Sequence, residues 1–325
     1  MEIKTTEDIV FTGNVDTSIL DSALSQGHVF EYSCKNGQCG VCKTTLLKGK
    51  VVELQAQQAL TGADKAAKKI LTCCSAPQTD ILIDTEELNA LCGIEVKTLP
   101  ARIASMTKHS EHIIEVELRL PPTASFQFLE GQYIDVIGSN AVRRSYSIAN
   151  AVSQKNITLF IKKVEAGVLS KYWFEEAQEN DLLRIEGPKG SFFFREPAKQ
   201  IVFLATGTGI APIKSILDKL VQDAEQYKNV SFSLYWGNRS QEDFFWQPEY
   251  TALNLKFVPV LSQADALWQG KEGYIQDVFI ADDMGYSDMQ VYACGSLAMI
   301  NSAKEVLMKN GLLEKHFYAD SFVSS

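Results

Sequence analysis

The sequence predicts a multidomain chain of three bodies: a small β-rich domain over residues 1–93, an antiparallel β-barrel over 98–196 and a doubly wound α/β domain over 197–325. Three observations carry this. At 325 residues the chain has room for two to three domains, each with its own core. Between about 101 and 196 apolar residues alternate in short runs punctuated by glycine and proline, as antiparallel strands require. From Gln200 onward buried-type strands alternate with helices, the pattern of a parallel sheet covered on both faces.

In the first body, strands are expected over 9–11, 43–53 and 81–84, with one helix over 17–26 that starts at a capping threonine, Thr17, and stops at Gly27. Residues 86–100 read as a connector. The barrel strands are expected over 113–120, 132–137, 145–148 and 157–164, separated by turns at Pro121-Pro122, Gly131, Gly138 and Gly187-Pro188. In the last body, strands over 201–205, 230–235, 255–260 and 290–293 alternate with helices over 211–223 and 297–310.

Hydrophobic residues make up 46% and charged residues 22%, an ordinary globular balance. Lys and Arg number 31 against 40 Asp and Glu, a formal charge of -9, which suits neither nucleic acid nor an anionic membrane. No apolar run approaches the ~18 residues of a membrane span. Glu2, Lys4, Glu7 and Asp8 leave no apolar core for a secretory signal, so a cytoplasmic location is expected. In that reducing compartment seven cysteines point to metal or redox work rather than disulfides.

Four of those cysteines form a pattern. Residues 34–42 read Cys-Lys-Asn-Gly-Gln-Cys-Gly-Val-Cys, a C-x4-C-x2-C loop, and Cys73-Cys74 follow after thirty intervening residues. This is the plant-type [2Fe–2S] spacing. Thiolates around ferric irons carry negative charge, which backbone N–H groups aimed at sulfur offset; Gly37 and Gly40 allow the turns that aim them. Structural zinc would more commonly use two short Cys pairs. No histidine stands in the loop, which excludes a Rieske centre. The expected ligands are Cys34, Cys39, Cys42 and Cys73, the last preferred over Cys74 because Cys-x3-Pro ends at Pro77. His28, His109, His112 and His316 have no metal spacing, and Glu175-Glu176 reads as a solvated helix face.

Two further sites are expected. Arg144-Ser145-Tyr146-Ser147 lies on a strand after Gly131-Gln132-Tyr133, where Arg144 offers a donor fork to phosphate and Tyr146, two residues on, shares its strand face. Gly167-Val168-Leu169-Ser170 opens a helix, a ready pyrophosphate site. Thr206-Gly207-Thr208-Gly209-Ile210-Ala211-Pro212 turns from a strand into a helix, with Pro212 in its first turn. Cys294 and Gly295 end another strand, and the carboxyl ends of such strands are where nucleotides bind, although a buried free cysteine is an ordinary alternative for Cys294.

In order along nearly the whole chain these motifs resemble the ferredoxin-NAD reductase group with an N-terminal plant-type ferredoxin domain. The resemblance implies a β-grasp ferredoxin domain, an FAD-binding barrel and an NAD-binding α/β domain. More closely, Glu31-Tyr32-Ser33-Cys34-Lys35, residues 143–150 and residues 291–300 are similar to the CDP-6-deoxy-Δ3,4-glucoseen reductases, which serve a pyridoxamine-phosphate dehydrase in making 3,6-dideoxyhexoses for the O-antigen of lipopolysaccharide. It implies Arg144 at FAD phosphate, Tyr133, Ser145, Tyr146 and Ser147 around the flavin, with Ser147 near its N5, and Gly167 to Ser170 at pyrophosphate. Gly207, Thr208, Gly209 and Pro212 would face the nicotinamide nucleotide, with Cys294 and Gly295 near its reactive carbon. Phe322, in the tail Phe317-Tyr318-Ala319-Asp320-Ser321-Phe322, would cover the flavin. Ser147, Cys294 and Phe322 are thus the implied catalytic residues. Thr206 stands where close relatives often have glycine.

The expected activity is an oxidoreductase that takes hydride from NADH and passes single electrons through FAD and the cluster to a partner. A 2′-phosphate would want several cations, whereas Arg239 is answered by Glu242 and Asp243, which favours NADH. Residues 1–93 hold twelve acidic and eight basic side chains, a net of -4, so a basic docking face on the dehydrase is expected. The free chain is expected to be monomeric. Two rivals remain: the reductase component of an aromatic-ring oxygenase or hydroxylase, and a non-enzymatic adaptor whose cysteines hold zinc.

Overall fold

Five short strands build the first body, in the spatial order Val10–Thr12, Glu2–Thr5, Ile81–Asp84, Lys43–Lys48, Lys69–Leu71. They are seen in a computed structural model, which describes residues 1–138, 142–165, 167–282, 285–286 and 288–322. Glu2–Thr5 and Ile81–Asp84 run parallel and the remaining pairs antiparallel, the β-grasp arrangement. The helix Ile19–Ser25 lays Ile19 and Ala23 onto this sheet against Ile3, Phe11, Phe30 and Ile83. Its cap is Ser18, one residue later than expected: the Ser18 hydroxyl accepts the Asp21 N–H at 3.0 Å. The strand expected over 43–53 is two, Lys43–Lys48 and Val51–Glu53. Gly49 breaks it at φ +90, where an added Cβ would also collide with the Asp80 carbonyl.

The second body is a six-stranded antiparallel sheet ordered Arg143–Ser147, Tyr133–Ile137, Leu182–Lys189, Lys97–Lys108, Ile113–Arg119, Ile157–Lys162. An isolated bridge between Ile148 and Leu159 joins its two ends, so the sheet nearly closes into a barrel. Its interior is Ile103, Val116, Leu118, Ile134, Val136, Leu159 and Ile185. The connector expected over 86–100 is shorter than read, because a strand begins at Lys97. Pro100 hides the pattern, yet Ala101 and Ile103 turn inward while Thr98, Pro100 and Arg102 stay exposed.

The third body is a six-stranded sheet ordered Lys271–Glu272, Leu255–Leu261, Ser231–Asn238, Gln200–Thr206, Met289–Ser296, Phe317–Phe322. Its first five strands are parallel; the helix Ile210–Leu220 leads from Gln200–Thr206 toward Ser231–Asn238, Ile275–Ala281 lies between Lys271–Glu272 and Met289–Ser296, and Leu297–Lys309 leads from Met289–Ser296 toward the sixth strand. Order reverses between Gln200–Thr206 and its neighbours, a topological switch point at which the strands' carboxyl ends open a crevice.

The chain divides into two compact units. One comprises Met1–Ile94 with Gly190–Phe192 and the chain from Asp320; the other comprises Glu95–Lys189 and Phe193–Ala319, barrel and α/β sheet together. Among the described residues no helix is long and apolar enough to cross a membrane.

Candidate functional site

The cysteines of the N-terminal loop come together as two pairs. The Cys34 sulfur accepts the Cys39 backbone N–H at 3.4 Å, and the Sγ atoms of Cys42 and Cys73 lie 3.2 Å apart. The Cys39 thiol, with backbone N–H groups of Asn36, Cys39 and Gln38, draws the Cys34 thiol down to about 5 against its own burial. The donating thiols of Cys39 and Cys42 are pushed up, first by those bonds and then by burial. Gly37 and Gly40 stand at φ +79 and +73, and an added Cβ on Gly37 would collide with the Ala56 carbonyl. Cys74 is fully buried, its Sγ 3.4 Å from that of Cys73 and 2.9 Å from where a Cβ on Gly37 would stand.

Two sulfur pairs with N–H groups aimed at sulfur fit a centre in which each of two irons takes two thiolates. Among the described residues no three His, Cys, Asp or Glu side chains gather as a single zinc ion would need. His28 and His109 instead pair with Glu87 and Glu115 at 2.6 and 2.8 Å.

On the barrel, Arg144 and Tyr146 share one face of the strand Arg143–Ser147, opposite Val136 and Ile134, while Ser145 and Ser147 face the other way, opposite Asp135 and Tyr133. The Ser145 hydroxyl donates to Asp135 at 2.7 Å, and on that same face Arg143 pairs with Glu186 at 2.8 Å and Lys189 with Asp135 at 2.6 Å. Arg144 takes no part in this network; its guanidinium donates to the Arg143 carbonyl at 2.7 Å. Burial pushes the Tyr146 phenol up to about 12, although Trp173 Nε1 donates to it at 3.0 Å.

That bond joins the strand to the second motif. Gly167 precedes the helical turn Val168–Lys171, which runs on through a wider turn, Tyr172–Glu176, carrying Trp173. Leu169 is buried beneath it, and the Ser170 oxygen accepts the Val164 N–H at 2.7 Å, which leaves its own proton to donate. A groove of about 950 Å³ borders Gly167, Ser170 and Lys163, but Arg144, Tyr146 and Ser147 do not line it. Trp173→Phe should keep most of the packing and lose the bond. A flavin held against Tyr146, as the resemblance implies, should then bind about fivefold more weakly, the value of one such bond, as read by release of flavin fluorescence on dilution.

On the α/β sheet, Gly207–Gly209 makes a tight turn after Gln200–Thr206 and feeds the helix Ile210–Leu220, with Pro212 in its first turn. Trp236 Nε1 donates to the Gly207 carbonyl at 2.9 Å. Cys294 lies opposite Ala205, fully buried. A Cβ on Gly209 would collide with the Cys294 carbonyl, and one on Gly295 with the Thr206 hydroxyl. Thr206, the departure from glycine, accepts the Ser296 N–H through that hydroxyl at 3.1 Å. Arg239 is exposed. Phe322, 40% exposed, ends the last strand and belongs to the unit of the cysteine loop.

Sequence reasoning passed over three residues. Asn150 is buried; its side chain accepts the Thr158 N–H at 2.6 Å and its carbonyl accepts the Ser215 hydroxyl at 2.6 Å, joining barrel to helix. Trp173 and Trp236 each place a motif residue through an indole N–H. A tryptophan one turn beyond a glycine-led helix start was the available signal.

Three family models match successive stretches: the 2Fe-2S iron-sulfur cluster binding domain over 3–78, the oxidoreductase FAD-binding domain over 100–194 and the oxidoreductase NAD-binding domain over 203–305. A chain combining these three is an iron–sulfur flavoprotein oxidoreductase. It is 43% identical to the CDP-6-deoxy-L-threo-D-glycero-4-hexulose-3-dehydrase reductase of Yersinia pestis, over 98% of this chain and 96% of that one. It is 30% identical to the anthranilate 1,2-dioxygenase electron transfer component of Acinetobacter baylyi, over 95% and 92%. In fold it matches the Amycolatopsis cytochrome P450 reductase GcoB, with a TM-score of 0.78 at 22% identity over 100% and 99%. The chain belongs to the ferredoxin-NAD reductase family with an N-terminal plant-type [2Fe–2S] domain, the family that includes the CDP-6-deoxyhexulose dehydrase reductases.

Proposed function

We propose that the chain is an NADH-dependent reductase that delivers single electrons to a pyridoxamine-phosphate-dependent sugar dehydrase, in the making of 3,6-dideoxyhexoses for O-antigen. The observation that carries this reading is the 43% identity, nearly end to end, to the Yersinia pestis dehydrase reductase. Bound FAD supplies the change from two-electron nicotinamide chemistry to the one-electron chemistry of a [2Fe–2S] centre.

The chain's residues hold and orient these groups. Cys34, Cys39, Cys42 and Cys73 bind the two irons. Arg144, its guanidinium outside the ion network of its strand, takes a flavin phosphate, and the N–H groups at Gly167 to Ser170 take the pyrophosphate. Tyr133, Ser145, Tyr146 and Ser147 frame the flavin, and Phe322 covers it. Gly207 to Pro212 receive the nicotinamide nucleotide, with Cys294 and Gly295 at its reacting end. A 2′-phosphate would want several cations, and Arg239 is the one cation in residues 237–243, beside Glu242 and Asp243, which favours NADH over NADPH. The acidic N-terminal domain meets a basic face of its partner, and the free protein works as a cytoplasmic monomer.

A second reading, the reductase component of an aromatic-ring oxygenase, draws on the 30% identity to the anthranilate dioxygenase component. The two separate in one experiment. Purified protein with NADH and a pyridoxamine-phosphate dehydrase is expected to yield deoxygenated sugar, at least about tenfold faster than with NADPH. Turnover of an aromatic substrate with an oxygenase, and none of the sugar, would give the answer to the second reading.

A further inference from the structure

Glu31, Tyr32 and Ser33 precede the cluster loop, and each makes a bond to a remote segment of its own unit. The Tyr32 N–H donates to Ser191 Oγ at 2.8 Å, and the Ser191 N–H donates back to the Tyr32 carbonyl at 3.2 Å. The Ser191 hydroxyl donates to Glu31 at 2.7 Å, and the Tyr32 phenol accepts the Gly190 N–H at 2.9 Å. One residue on, Ser33 Oγ donates to Asp320 Oδ1 at 2.7 Å. Tyr32, Ser33, Ser191 and Asp320 are between 1% and 6% exposed.

A hydrogen bond to a carboxylate is about twice as strong as a neutral one, and burial raises the cost of breaking it. This bond ends one residue before Cys34. A fixed negative charge in a low-dielectric setting also disfavours an added electron nearby, and hydrogen bonding and net charge are what set the potential of an iron–sulfur centre. We propose that Asp320 is a positioning residue for the iron–sulfur centre: through Ser33 it pins the backbone leading into Cys34, and its carboxylate lowers the centre's reduction potential. The inference rests on the ligand assignment made above.

Full-length reconstituted protein tests it through two readouts other than turnover. Asp320→Asn keeps an acceptor for Ser33 and removes the charge. In an EPR-monitored redox titration the electron partition should shift about tenfold toward the reduced centre, ~59 mV for a one-electron couple. Ser33→Ala removes the donor, so the amides of residues 32–35 should exchange hydrogen about fivefold faster, and Ser33→Thr should restore them. An unmoved partition in Asp320→Asn, or unmoved exchange in Ser33→Ala, overturns the proposal. Wild-type protein that takes up no iron fails the ligand assignment instead, and exchange on that iron-free chain still decides whether Ser33 pins the loop.

Discussion

Cys42→Ala is expected to leave a flavin-bearing protein depleted of iron and sulfide. It should still oxidise NADH with ferricyanide, which accepts electrons from flavin, while delivery to a one-electron protein partner falls by at least about 100-fold. That floor is the effect of removing a mere supporting contact of a metal ligand; removing a ligand costs more. Cys42 is 5% exposed and its sulfur lies 3.2 Å from that of Cys73, so its replacement leaves the second sulfur pair with one member, away from bulk solvent. Cys74→Ala is the control. Its sulfur packs toward Gly37, and iron content should stay near wild type. Full iron in Cys42→Ala, by colorimetric assay, would refute the assignment.

Gly295→Ala should be the most damaging substitution on the nucleotide side. Gly295 has φ +135, which an alanine adopts only at a cost of about 1–3 kcal/mol. Its new Cβ would also collide with the Thr206 hydroxyl and sit 3.0 Å from the Thr206 carbonyl. The chain would have to move where Cys294 meets the Gly209 turn, and kcat/KM for NADH is expected to fall about 100-fold with iron content unchanged. Adding Thr206→Gly removes the hydroxyl collision and leaves the backbone strain. The double variant should therefore recover part of the loss, a coupling of about 0.5–3 kcal/mol. Strict additivity of the two changes would show that the threonine and the glycine are not fitted to each other.

What the sequence revealed follows from how each feature is encoded. The cysteine loop stands out in the sequence because the chemistry expected of it is a spacing: three thiols brought together by adjoining turns, with glycine at φ +79 and +73 between them. The strand-to-helix turns were legible for the same reason, since glycine and proline punctuate them. Element ends were less so. Pro100 masked a strand, and Gly49 divided one that alternation alone had run together. Least legible were the pairings across the chain. Tyr32 meets Ser191 and Ser33 meets Asp320 at separations of 159 and 287 residues, and no periodicity marks a serine for a partner so distant. Trp173 on Tyr146 was hidden likewise, because an indole N–H leaves no pattern in the sequence of its acceptor.

Residues 190–192 and the stretch from Asp320 complete the first unit from far along the chain. A gene fragment ending at residue 94 would therefore encode an unfinished module, in which buried amide, phenol and hydroxyl groups of Tyr32 and Ser33 face gaps. Grafting this ferredoxin onto another reductase would demand compatible residues at both distant stretches as well. The three parts of such a protein can diverge in sequence, but at these points they must change in concert.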